Sequence, residues 1–377
     1  MPSAYTSYDS SHVSLVYFCI AGLKLLNALT EVIPNETDRS NWIEWVYLHL
    51  TPSGNGFRGS LSHDLQQSTT LDGDNINDPA HLASTFFCLS ILAILQDRSM
   101  TTRLDRVKIL RYVKSCQRST GQFSGLSHPS IGPVGDNDPR YTYVAAAIRR
   151  ILKGDQLHET LKAEVDFNVK KASDFIKSTK SYDGGLGDKQ GSESHAGLVF
   201  CGIAALDLMN TLNCKDWVDT AVWLSKRQLS EFTIDHSYSI TADGDYDQHS
   251  RDNDTRHGAS SFCCWNSWEA GGFNGRLNKP ADTCYAYWTC ASLTVLNSAN
   301  FVSSPAARTF LLENCMDPVL GGMVKVKGSY ADPLHSYLGL AALAMISPEL
   351  GFCEFNPSLT LPVETVSFID TLDWNPL

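Results

Sequence analysis

The chain has 377 residues, 43% of them apolar and 19% charged, and carries a net charge of −11. That composition supports a large globular core and excludes a disordered chain. The acidic balance excludes nucleic acid or an anionic membrane as a general partner, while local cationic pockets stay compatible with it.

The 11 cysteines form no regular framework. Cys19, Cys88, Cys201 and Cys290 fall in apolar runs, where a reduced thiol packs as a small hydrophobe. With no signal peptide at the start, these features predict reduced cysteines and a cytoplasmic location. The longest apolar run, 15–29, is broken by Lys24 and Asn27. It is too short and too polar to span a bilayer, which predicts no stable membrane insertion.

Helical periodicity dominates the chain, and one unit recurs along it: an amphipathic helix, a Gly-containing turn and a far more apolar helix. Each turn carries one bulky apolar residue: Phe57, Phe123, Leu186, Phe273 and Met323. The amphipathic helices are predicted over 41–50, 103–117, 161–179, 215–230 and 305–316. The apolar helices start near His12, His81, Arg140, His195, Asp282 and His335. Helices that are apolar all round must be buried, and one-faced helices cover them. Alternation of the two kinds at a fixed period predicts an all-α repeat architecture. The expectation is a single domain over 1–377, an α/α barrel (toroid) of about six inner and five to six outer helices.

Successive inner-helix starts lie 69, 59, 55, 87 and 53 residues apart. The long interval coincides with 231–261, a stretch rich in Asp, Ser and His that reads as an inserted disordered loop. Its His236, His249 and His257 read as solvated rather than as ligands. Only eleven residues precede the first inner helix, too few for an outer partner.

The most informative stretch is 271–288. Arg276 and Lys279 precede Asp282 and Cys284, followed by Tyr285 and an apolar helix. Asp282 falls at an N-cap position, so its side chain and that of Cys284 can converge although they are two residues apart. Carboxylate plus thiolate is half of a zinc site, and His335 supplies a third ligand with one position left open. Two cations beside a helix N-terminus suit a phosphate. Taken singly, Asp282 reads as a plain cap, Cys284 as a small buried residue, and His195, His335 and Arg140 as structural or surface groups. Register changes that weighting, because Arg140, Glu193–His195, Asp282 with Cys284, and His335 all recur at inner-helix starts. Parallel inner helices would gather them at one mouth with a cationic rim. Below it, Tyr17, Phe18, Phe86, Phe87, Phe200, Tyr287 and Trp288 read either as core or as the wall of a bore for a long hydrocarbon.

At this point the sequence resembles the beta subunit of the protein prenyltransferases, most closely the type I geranylgeranyltransferases. The likeness covers nearly the whole chain except 231–261. It rests on Gly-Arg-Leu-Asn-Lys-Pro-Ala-Asp-Thr-Cys-Tyr at 275–285, Glu-Ser-His at 193–195 with Phe-Cys-Gly-Ile-Ala at 200–204, and Leu-His-Ser-Tyr at 334–337.

The resemblance implies an α/α barrel, one zinc ion per beta subunit on Asp282, Cys284 and His335, and a heterodimer with a prenyltransferase alpha subunit. It implies diphosphate binding by His195, Arg276, Lys279 and Tyr285, with Arg140 near peptide and lipid and with Phe18 and Trp288 along the lipid. The implied substrates are geranylgeranyl diphosphate and the C-terminal Cys-a-a-X peptides of small GTPases, X preferably Leu. Within the family, Ser14 stands where farnesyltransferases carry a bore-shortening Trp. Lys325 stands where they carry a magnesium-recruiting Asp, which implies no magnesium requirement. Leu334 also fits the type I pattern. Farnesyltransferase is the alternative inside the family. A terpene cyclase would need a carboxylate acid and lacks its Asp-Asp pair here, and a non-catalytic scaffold would tolerate lost ligands, none of which is lost.

Overall fold

The helices come in two kinds that alternate along the chain. The computed structural model describes residues 3–63, 80–230, 239–240, 246–247 and 269–374. In chain order the principal helices are α1 (His12–Leu25), α2 (Glu36–Tyr47), α3 (Leu82–Ile94), α4 (Arg106–Ser115), α5 (Pro139–Ile151) and α6 (Val169–Ser178). They continue as α7 (Ala196–Leu208), α8 (Val218–Ser225), α9 (Thr283–Val295), α10 (Ser304–Thr309), α11 (Pro333–Ile346) and α12 (Val363–Thr371). Short helices at Met100–Arg103 and Glu159–Val165 precede α4 and α6, and a π turn, Phe310–Cys315, extends α10.

Burial separates the two kinds. Of the 13 residues of α3, 11 are buried, whereas in α2 only Ile43, Val46 and Tyr47 are. The odd-numbered helices from α1 to α11 pack neighbour to neighbour in chain order, and α11 closes back on α1. Six inner helices therefore form a closed ring, and α2, α4, α6, α8 and α10 each cover the inner helix that follows them. The all-α toroid expected from periodicity is what the chain builds.

The predicted turns are where the repeats lock. Phe57, Phe123, Leu186 and Phe273 are fully buried and Met323 nearly so. Each bridges to the end of the preceding outer helix, as in Gln228 to Phe273. The glycine at Gly271 is required: its φ is +82°, and a Cβ there would lie 2.2 Å from the Ala306 carbonyl of the next outer helix.

Boundaries differ from the sequence reading for identifiable reasons. The first outer helix begins at Glu36 rather than 41, because Asn35 caps it by accepting from Asp38 N–H. The stretch 161–179 is two helices, since Asn168 caps a new start by accepting from Lys171 N–H. The inner helices predicted near Arg140 and His335 start at Pro139 and Pro333, capped by Asp138 and Asp332. Within 231–261 the only described structure is the two-residue pairing of β3 (Ser239–Ile240) with β4 (Tyr246–Asp247). The expected disorder there, and His236, His249 and His257, lie otherwise outside the described residues. The other pairings are β1 (Leu126–His128) with β2 (Gly132–Val134), and β5 (Phe355–Asn356) with β6 (Leu361–Pro362).

Two features orient the ring. The N-caps of the inner helices face one mouth. The opposite end is met by the 353–362 segment, whose Cys353 N–H donates to the Leu25 carbonyl at the end of α1 and whose Ser358 hydroxyl donates to Asp207 near the end of α7. Across the ring lies an aromatic layer: Tyr17, Phe86, Tyr143, Phe200, Tyr287 and Tyr337, the fifth residue of each inner helix and the sixth of α1. Ring centroids of successive members are 5.3–6.0 Å apart from Tyr337 through Tyr17 round to Tyr287.

Candidate functional site

The start of α9 builds the centre of the site. Asp282 caps the helix, its Oδ1 accepting from Cys284 N–H at 2.9 Å. That cap turns the carboxylate toward the thiol two residues on, the convergence the N-cap position predicted. The start of α11 supplies the third group, His335, with Nε2 3.4 Å from Asp282 Oδ1. One ligand atom from each of Asp282, Cys284 and His335 lies within 4.8 Å of the other two. Carboxylate, thiol and imidazole at that spacing form a donor set for zinc.

Burial and mutual contact set the protonation preferences of these three groups. Burial raises the Cys284 thiol well above its ordinary range, and the Asp282 charge raises it further. Burial works against His335 as well, but Asp282 and Asp332 overcome it and raise the imidazole to about 9. Asp282 also stays below its ordinary value: burial would raise it, and hydrogen bonds from His335 and Cys284 prevail.

Asp332, absent from the sequence reading, is the residue that aims His335. Its Oδ1 accepts from His335 N–H at 3.0 Å and its Oδ2 pairs with Nδ1 at 2.6 Å. A carboxylate on Nδ1 fixes the proton there and leaves Nε2 toward the ligand side. An Asp-Pro pair just ahead of a histidine is an N-cap signature, so the signal was present.

The cationic rim draws on these two repeats and on those of α5 and α7. His195 caps α7, its Nδ1 accepting from Gly197 N–H at 3.1 Å, and its Nε2 lies 3.0 Å from the Tyr285 hydroxyl. With Nδ1 an acceptor, the neutral ring carries its proton on Nε2 and donates to Tyr285, freeing the phenol proton to point at a ligand. Burial lowers the His195 pKa, and the Arg276 and Arg140 guanidiniums lower it further. Burial raises the Tyr285 phenol to about 12. Arg276 pairs with Glu193 at 2.9 Å, and Arg140 is held by Asp138. Lys325 Nζ stands 3.8 Å from Asp282 Oδ2, placed there because Thr283 N–H donates to the Lys325 carbonyl. Lys279 is exposed on the loop that carries Arg276, after a left-handed Asn278 (φ +57°).

From this rim a cavity of about 840 Å³ runs into the ring. Arg140, Glu193, His195 and Arg276 line its entrance, and Phe18 and Trp288 its wall. Its inner end is formed by members of the aromatic layer and Thr360. Ser14 and Leu334 are not part of that lining; the Ser14 hydroxyl donates instead to the Ser11 carbonyl at 2.6 Å. Tyr143 and Thr360 were not singled out in the sequence, and Tyr337 only as the last residue of the 334–337 motif. The two tyrosines were legible by register, and Thr360 was not.

Over residues 1–362 the sequence matches the prenyltransferase alpha-alpha toroid domain. The chain belongs to the prenyltransferase toroid family. Among its relatives is a geranylgeranyl transferase type-1 subunit beta of Arabidopsis thaliana, 30% identical over 373 residues, covering 96% of this chain and 85% of the relative. The subunit of the same name from Dictyostelium discoideum is 28% identical over 363 residues, covering 91% and 86%. A solved Candida albicans protein geranylgeranyltransferase-I complexed with GGPP superposes with a TM-score of 0.81 at 27% identity, covering 98% of this chain and 94% of that one. Among the described residues, no helix of this prenyltransferase-family chain is long and apolar enough to cross a membrane.

Proposed function

We propose that the chain is the catalytic beta subunit of a zinc-dependent protein geranylgeranyltransferase type I. It would transfer geranylgeranyl from its diphosphate to the cysteine of C-terminal Cys-a-a-X peptides of small GTPases, working with a prenyltransferase alpha subunit. The observation that carries the reading is the juxtaposition of a zinc-competent Asp282, Cys284 and His335 cluster with a cationic rim over an apolar cavity of about 840 Å³. The similarity to type-1 subunits over most of their length supports it.

Asp282, Cys284 and His335 would hold the zinc ion, which when bound lowers the pKa of a coordinated substrate thiol. The chain's own groups do the rest. Cys284 serves as a ligand, and no acyl- or phospho-enzyme forms on the protein. The apolar cavity takes the prenyl chain and sets the diphosphate at the rim. There Arg276, Lys279, Tyr285 and His195 donate to oxygens that gain negative charge as the carbon–oxygen bond breaks. Lys325, exposed beside Asp282, supplies the positive charge that a magnesium ion would otherwise bring. Arg140, at the entrance, faces peptide and lipid together.

The test uses the chain co-expressed with an alpha subunit. Bound zinc is determined, and geranylgeranyl and farnesyl diphosphate are then compared on a Cys-a-a-Leu peptide with and without magnesium. One zinc, a geranylgeranyl preference and indifference to magnesium are expected. Farnesyl preference with magnesium dependence would move the chain to the farnesyltransferases, and turnover without zinc would remove the proposed site.

A further inference from the structure

Three cations of the rim are matched to carboxylates of this chain, and one match differs from the others. Arg140 lies on Asp138, and Lys325 stands near Asp282. Both of those carboxylates are buried, and each also caps an inner helix. Arg276 instead donates from Nη1 to Oε2 of Glu193 at 2.9 Å. Glu193 is exposed, and its side chain makes no other hydrogen bond among the described residues.

The pair spans two repeats whose backbones are fixed against each other. Ala196 N–H donates to the Gly275 carbonyl at 2.9 Å, tying the start of α7 to the loop that carries Arg276. Just after Glu193, the buried Ser194 hydroxyl donates to Asp183 Oδ1 at 2.5 Å, while Trp223 Nε1 donates to Asp183 Oδ2 at 2.8 Å. His195 N–H donates to the Leu186 carbonyl at 2.9 Å. These bonds keep the two side chains within reach of each other, which lowers the ordering cost that usually cancels an exposed ion pair. Glu193 and Arg276 both line the cavity, so an anion drawn to this guanidinium meets one that already has a partner.

We infer that Glu193 is a positioning residue that competes with the diphosphate for Arg276 and so weakens the hold of the rim on the leaving group. This rests on the prenyl-diphosphate reading and deepens it. A guanidinium binds carboxylate and phosphate through the same planar fork of N–H groups, so the two anions compete for it. Donors that stabilise the charge growing on the leaving group also retain it once the bond has broken. A carboxylate within reach of Arg276 offers the guanidinium a replacement partner as the diphosphate departs. Asp138 and Asp282 cannot do the same without giving up a helix cap.

The experiment measures binding of inorganic pyrophosphate by isothermal titration calorimetry, using the chain co-expressed with an alpha subunit. The salt is held at about 0.15 M, where charges more than about 8 Å apart are largely screened. Glu193→Gln keeps the size of the side chain and removes its charge. It is expected to tighten pyrophosphate about fivefold, the upper end of what an exposed ion pair contributes. In an Arg276→Gln background the same change should alter the affinity by less than about twofold, because the group competed for is gone. Geranylgeraniol, which has the apolar chain without phosphates, should bind the parent and Glu193→Gln equally, read by quenching of tryptophan fluorescence. Circular dichroism and Tm identify folded variants, and Glu193→Ala, expected to move the same way, serves if Glu193→Gln does not fold. Unchanged or weaker pyrophosphate binding in a folded variant overturns the inference by itself. An equal gain in the Arg276→Gln background, or a matching change in geranylgeraniol affinity, overturns it as well. If the unsubstituted protein binds no pyrophosphate, it is the prenyl-diphosphate reading that fails.

Discussion

Replacing Asp332 by Asn changes one charge opposite the candidate metal ligand and little else. Asp332 both caps α11 through Oδ1 and pairs with His335 Nδ1 through Oδ2 at 2.6 Å. Asn is an equally good N-cap, so the helix start should survive. The bond to Nδ1 loses its charge assistance, which roughly halves its strength, and the amide nitrogen competes for the same direction. His335 then no longer has its proton fixed on Nδ1, and Nε2, 3.4 Å from Asp282, is less often available to a metal. Loss of such a carboxylate partner costs about 10–100-fold in metal affinity, or about 1.4–2.8 kcal/mol. Zinc affinity is measured by competition with a chromogenic chelator. Asp332→Ala serves as a second variant: it should lose the same metal affinity plus about 1 kcal/mol of helix capping, visible as a lower Tm of the metal-free protein. Zinc affinity in Asp332→Asn within twofold of the unsubstituted chain would refute the reasoning.

Other perturbations separate chemistry from architecture. On the proposed role of Lys325, Lys325→Asp should make prenyl transfer magnesium-dependent, because a carboxylate there would recruit the cation in place of the lost ammonium; titrating magnesium checks it. In Gly275→Ala the new Cβ would lie 2.2 Å from Tyr285 Cζ, so diphosphate affinity should fall at least tenfold while zinc content stays at that of the parent. Arg149 and Asp166 form a buried pair with both side chains under 10% exposed. Arg149→Met should cost about 3–5 kcal/mol by leaving that carboxylate unpaired, measured by urea unfolding. Burial lowers the fully buried His49 to about 4. The unfolded chain therefore binds the extra proton between pH 6.5 and 4, and stability falls through that window by roughly 2–3 kcal/mol. His49→Gln should flatten that part of the profile in unfolding curves at pH 7 and 4.5.

Much of this site was readable because its residues sit at repeat boundaries. Asp282, His195 and His81 are all N-caps of inner helices, and caps are among the clearest local signals in a sequence. The ring itself followed from two grades of apolar helix, since α3 is buried nearly all round and α2 on one stripe. What escaped was long-range. Thr360 has no local pattern, and its place depends on the phenols of Tyr17, Tyr143, Tyr287 and Tyr337, 23 to 343 residues away, closing on it. The split of 161–179 turned on a single Asn cap inside a continuous amphipathic pattern, and periodicity alone runs through such a break.

Asp282 and Cys284 belong to one repeat and His335 to the next, with α9 and α11 side by side in the ring. Any ion bound by all three is therefore a clasp across a seam between two units about fifty residues apart in the chain. Chelation would unfasten that seam without touching the other contacts around the ring. Amide exchange should accelerate first along 316–340 and the start of α9, so that the candidate metal site doubles as the buckle of the toroid.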